Sequence, residues 1–144
     1  MKMRVQLVIE DATGASNCTD IAAIERHTED LIGLSLEDAK AMAGAVQRAM
    51  VEAQAREVID RGSICPACQR RLRLNRKHRI GYRTPFGRLD LDSPRLYRCR
   101  CQTHTRQSIS PLAIWLGGHI RPELQYLEAQ FAALLGLGPP VRFV

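Results

Sequence analysis

Four of the five cysteines in this 144-residue chain fall into two close pairs, Cys65 with Cys68 in "CPAC" and Cys99 with Cys101 in "CRC". Thiolates arranged two and two are what a tetrahedral zinc ion takes from a pair of tight turns. The first pair has the C-x2-C spacing of a metal knuckle. The second pair would present both sulfurs to one face of a flat strand, so the chain must curl there for them to converge. His104 competes with Cys101 for the fourth position. Four protein ligands leave no place for a reacting water, and no Glu or Asp lies close in sequence to serve as a base. The Zn2+ expected here is therefore structural, contributing on the order of 10 kcal/mol to the folding of a small section. Cys18 stands apart and reads as a small buried or half-exposed residue rather than a ligand.

Charge gathers around the same residues. The net charge is +6, yet residues 69–106 hold twelve Arg or Lys and only two acids, Asp90 and Asp92. That segment sums to +10, so the remainder of the chain sums to −4. One strongly cationic patch on a near-neutral scaffold points to a polyanionic partner. Arg71, Arg73, Arg79, Arg83, Arg98 and Arg100 are the candidates for contacts with nucleic acid, since a guanidinium bonds phosphate or a guanine edge bidentately.

The elements that must position these groups follow from periodicity. Met3, Val5, Leu7 and Ile9 alternate in a first strand, and "CTDIAAIER" reads as a second. Ser35, with Asp38 three residues on, starts a helix whose apolar stripe runs through Leu36, Ala39, Met42, Val46, Met50 and Ala53 to about Asp60. Between the cysteine pairs lie thirty residues, longer than common finger spacings. They alternate Arg with Leu, Ile or Tyr, and "TPFG" supplies a turn. "SPR" is expected to break the chain before a last strand, "LYRCRC". "SISPLAIWLGGHI" reads as a loop. A second helix begins near Arg121 with Pro122 in its first turn, carries Leu124, Leu127, Phe131 and Leu134, and stops at "GLGPP".

The expected fold is α+β: an N-terminal strand pair, a long amphipathic helix, a zinc ribbon of short antiparallel strands and a C-terminal helix. The divisions are residues 1–62, 63–106 and 107–144. The N-terminus lacks the continuous apolar region of a signal peptide, and no window approaches a membrane span. The expectation is a cytoplasmic protein with no membrane partner, whose thiols stay reduced. No nucleophile–base pair and no group of carboxylates suited to two metal ions is apparent, so an autonomous enzyme is disfavoured.

The run "HRIGYRTPFGRLDLDSPRLYRCRCQTH", preceded by "CPAC", resembles the N-terminal region of bacterial insertion-sequence transposases of the Kra type. So do "MKMRVQLVIED", "LSLEDAKAM", and "SPLA" followed by "PELQYLEAQFA"; the resemblance spans Met1 to about Leu135. It implies binding to transposon-end DNA, with Zn2+ held by Cys65, Cys68, Cys99 and Cys101. It also implies a downstream acidic catalytic domain that would lie past Val144, and none of that domain's catalytic residues carries over to this chain. The expectation is thus a non-catalytic DNA-binding portion of a transposase. Its partners would be duplex DNA and either a full-length transposase or a second copy of itself. Two alternatives stand beside it: a protein-interaction module pairing through its two helices, and an RNA-binding ribbon.

Overall fold

A computed structural model describes residues 1–10, 13–25, 27, 33–102 and 107–136. The architecture is mixed α+β. Strands β1 (Lys2–Glu10) and β2 (Ser16–Glu25) form an antiparallel pair, followed by helix α1 (Leu36–Gly62). A three-stranded antiparallel sheet then forms from β3 (Leu74–Thr84), β4 (Gly87–Tyr97) and β5 (Ser108–Ile109). Helices α2 (Pro111–Leu116) and α3 (Pro122–Leu134) complete it. The chain divides into two compact units, Met1–Ala53 and Gln54–Val144, a division that falls within α1.

In the first unit, Val5, Leu7 and Ile9 are half-buried on one face while Val8 is exposed, as alternation requires. The register slips between Val5, opposite Ala22, and Gln6, opposite Asp20, which leaves Ile21 as a bulge. The start of α1 is capped reciprocally. Ser35 Oγ accepts from Asp38 N at 3.0 Å, and Asp38 Oδ2 accepts from Ser35 N at 3.1 Å.

The apolar stripe expected on α1 does not hold to one face. Leu36, Ala39 and Met50 are exposed, whereas Val51 and Ala55 are buried. The expected positions step as if five full turns separated Leu36 from Ala53, but at 3.6 residues per turn the helix falls short by about 100°. The line therefore winds off the buried side. The covered line in the last turns runs instead through Val51, Ala55, Val58 and Gly62.

In the second unit the core gathers Ala55, Cys65, Ile80, Tyr82, Leu89, Leu91, Leu96 and Leu112. Ile80 faces Leu91 and Tyr82 faces Leu89 across the hairpin, so one face of β3 and β4 is apolar. The turn at Pro85 and Phe86 is fastened by Thr84, whose Oγ1 accepts from Phe86 N at 3.2 Å and donates to Gly87 O at 2.8 Å. Gly87 has φ +121, open to glycine alone without strain.

Three expectations are corrected here. "SPR" does not break the chain: β4 runs unbroken through Ser93, Pro94 and Arg95. Pro94 sits where β4 pairs with β3 only, because β5 reaches just Leu96 and Tyr97, and a strand tolerates a residue without N–H on such an open side. The last strand ends at Tyr97 and does not extend to Cys101. The segment read as a loop contains β5 and α2, the latter capped by Ser110 Oγ and closed by Gly117 at φ +63. Beyond α2 the chain returns along β3, where Arg83 N donates to His119 O and Arg121 N to Arg83 O.

Leu112 is fully buried, which contributes about 2–3 kcal/mol. Beside β4 the hydroxyls of Ser93 and Ser110 meet at 2.7 Å and satisfy each other out of solvent. Gly62 ends α1 against α2, and a Cβ there would lie 2.4 Å from Pro111 Cβ. Propensity alone would favour Gly62→Ala by about 1 kcal/mol. The clash reverses the sign, and we expect the variant to lose about 1–3 kcal/mol in a urea unfolding titration.

Candidate metal centre

The first knuckle is folded by its own backbone. Gln69 N donates to Cys65 O and Cys65 N to Arg70 O, both at 2.9 Å, while Leu72 N reaches Ser63 O at 2.8 Å. The loop so closed lays Arg71 beside Ile64. Pro66 fits the tight turn because its φ is preset and it has no N–H to satisfy. Reversal is completed at Gln69, a non-glycine residue with φ +57. Gln69 Nε2 partly compensates by donating to Pro66 O at 3.1 Å.

The second knuckle lies where β4 gives out. Arg98 N still bonds Gln107 O, but the chain then curls, with Gln102 N donating to Cys99 O at 3.0 Å. This is the departure from strand geometry that Cys99 and Cys101 require. The long β3–β4 hairpin explains the thirty-residue spacing. It leaves the first knuckle, turns at Pro85 and Phe86, and returns, pairing Leu74 with Leu96 at its base.

All four sulfurs come together, every pair within 4.8 Å. The closest approaches cross between knuckles: Cys65 Sγ to Cys101 Sγ at 3.5 Å and Cys68 Sγ to Cys99 Sγ at 3.4 Å. Disulfide sulfurs would lie about 2.0 Å apart, so these are free thiols. Four sulfurs bonded at about 2.3 Å to a tetrahedral ion are spaced about 3.8 Å. The cluster therefore has the size and donor set to hold a metal ion. Among the described residues it is the group of His, Cys, Asp or Glu side chains so placed. His104, the alternative fourth ligand, lies outside the described residues.

The protons of the cluster show what a cation would do. The Cys68 backbone N–H aimed at its sulfur lowers Cys65 to about 7, against the opposing effect of burial and with help from the Ala67 N–H. Cys99 is lowered too, chiefly by the Cys101 backbone N–H. Cys101 is pushed up to about 12 by its hydrogen bonds with Cys99, Cys65 and Cys68. Hydrogen bonding among the sulfurs thus holds a proton on Cys101, and a cation among them would favour its release.

All six nominated arginines are exposed, but their settings differ. Arg79 Nε lies 3.3 Å from Asp92 Oδ1, and an Arg83 terminal nitrogen lies 2.7 Å from Glu128 Oε1. Arg71, Arg73, Arg98 and Arg100 have no ion pair among the described residues. Arg71 follows the first knuckle, Arg100 sits inside the second, and Arg73 O accepts from Tyr97 N at the hairpin base. The structure thus brings these four to the cysteine end. Sequence reading missed Gln69, whose signal was its place just after the second cysteine of the first pair. It also passed over Arg95, because which residue faces which depends on a register that only the folded hairpin fixes.

No family model, curated protein or solved structure matches this chain.

A left-handed conformation costs an ordinary residue about 1–2 kcal/mol. We expect Gln69→Gly to relieve about 1 kcal/mol of that, slowing loss of metal to a competing chelator severalfold, and Gln69→Val to speed it. Chromophoric chelator competition on the metal-loaded protein measures both.

Proposed function

We propose that the chain is a DNA-binding module built around a structural zinc ion, corresponding to the non-catalytic N-terminal portion of an insertion-sequence transposase. The observation that carries this reading is the placement of Arg71, Arg73, Arg98 and Arg100, exposed and without acid partners, around four converging cysteines. Zinc is the ion of choice because a site of four thiolates is its usual closed structural site, inert to redox change. In bound form it would fix the two knuckles to each other, and with them the arginines. Guanidinium groups held on a rigid base lose less freedom on meeting phosphate than groups on a mobile loop. The DNA-binding half of the proposal rests on charge and on the resemblance of the sequence. The reduced thiols fit a cytoplasmic setting, and among the described residues no helix is long and apolar enough to cross a membrane.

A second reading has an observation of its own. On α3, Tyr126, Phe131 and Leu134 are 64%, 63% and 80% exposed, and Leu127 is partly so. Such a face suits helix pairing with another protein, including a second copy or a longer transposase.

One experiment separates them. Metal content of the purified protein should be one zinc per chain, falling sharply in Cys68→Ser or Cys99→Ser. Duplex DNA affinity should fall with salt at a logarithmic slope of about −4, from four to five phosphate contacts. The double variant Arg98→Glu with Arg100→Glu should abolish binding. A flat salt slope, or a double variant that binds as well as the parent, refutes the DNA reading. Tighter binding to structured RNA than to duplex DNA in direct competition redirects it.

A further inference from the structure

Charge is segregated along the β3–β4 hairpin. Toward the turn each arginine has an acid: Arg79 has Asp92, Arg83 has Glu128, and Arg88 Nε lies 3.1 Å from Asp90 Oδ1. Toward the cysteines, residues 70–77 and 95–100 contain eight Arg or Lys and no acid. None of the eight has an ion pair among the described residues.

The register shows something more specific. The buried face of the hairpin carries Ile80 opposite Leu91 and Tyr82 opposite Leu89. Stepping by two toward the cysteines, that same face carries His78 opposite Ser93 and then Arg76 opposite Arg95. Two arginines directly opposite each other repel. His78 and Arg95 are half-buried. His78 Nδ1 and Arg95 Nε are both out of solvent and have no hydrogen-bond partner among the described residues. Ser93, opposite His78, bonds Ser110 rather than the histidine. Among the described residues Arg95 Nε–H lacks an acceptor and His78 Nδ1 lacks a partner, and an acceptor bearing negative charge would serve both while offsetting the pair of like charges.

We infer that Arg76, His78 and Arg95 form an oxoanion site that takes a phosphate group. The two guanidiniums grip it from opposite strands, and the histidine donates through Nδ1–H in that tautomer. The anion offsets the cross-strand repulsion, and His78 and Arg95 turn their buried nitrogens outward to meet it. The site itself stands apart from the DNA reading. Only the source of the phosphate, a phosphodiester or a free phosphate, rests on that reading.

The test uses the full metal-loaded chain, with inorganic phosphate titrated at constant ionic strength against chloride and followed by calorimetry. Phosphate should bind the parent. Arg95→Gln and Arg76→Gln should each weaken it by about tenfold, as loss of a charge-assisted bond implies. Arg88→Gln, on the ion-paired half, should leave it unchanged, and circular dichroism confirms that each variant keeps its fold. Absence of phosphate binding in the parent overturns the inference, as does an equal effect of Arg95→Gln and Arg88→Gln. A short duplex that displaces phosphate from the parent identifies a phosphodiester as the natural ligand. Phosphate binding lost in Arg95→Gln, with no binding of duplex at all, keeps the oxoanion site and removes the DNA reading.

Discussion

Four thiol groups occupy one small volume at the base of a hairpin, close enough that charge on one sulfur opposes charge on its neighbours. Backbone N–H groups at each knuckle pull Cys65 and Cys99 toward the thiolate. The consequence falls on Cys101, which retains its proton far into the alkaline range. A cluster of this kind is incomplete as a set of protein groups alone. The same turns that steer N–H donors onto sulfur also aim the four sulfurs at a common centre. Geometry and electrostatics therefore both suit a cation at the centre of the cluster.

The hairpin converts that local demand into a long-range one. Two knuckles separated by thirty residues meet because β3 and β4 are of equal length and the turn between them is fixed by Thr84 and Gly87. The bulge between Leu74 and Arg76 lies just where the strands approach the cysteines. A slip of one residue would exchange the faces of a strand, removing Ile80 and Tyr82 from the core and moving the second knuckle off the first. Leu112, Ser110 and Pro111 guard against such a slip, since Ser110 bonds Ser93 at one place on β4 and Pro111 abuts the end of α1. Packing in this unit is thus also what sets the spacing of the sulfurs.

The cysteine pairs were legible in the sequence because a knuckle is a local object: spacing and a proline following Cys65 suffice. The α+β class, the strand pair, the capped helix start at Ser35 and the turn at "TPFG" were legible for the same reason. What depended on partners was not. Spacing alone does not fix the stripe on α1, because a mean step below 3.6 carries Leu36 to Ala53 round the helix. Pro94 looked like a break because the sequence does not say which side of a strand is open. Helix α2 was hidden by its brevity and by the glycines after it, although Ser110 and Pro111 are a cap and first turn of ordinary type. Among the arginines, sequence counted charge correctly but could not tell Arg79 and Arg83, which meet acids brought from Asp92 and Glu128, from Arg71, Arg73, Arg98 and Arg100, which do not.

That difference bears on how such a surface would work. Cations already paired on the surface contribute little to a new partner, because each must first give up an acid. Cations left without acids near a rigid cluster repel one another, and the core and any ion held between the knuckles must oppose this. Here the repulsion is concentrated at the end of the hairpin that the four sulfurs would fasten, while the far end is neutralised residue by residue. With metal lost, the restraint weakens where the repulsion is greatest, so cation spacing and the second knuckle would relax together. An anion bound across that end would act in the opposite sense. Metal and polyanion would then each favour the arrangement the other requires, a coupling that needs no contact between them.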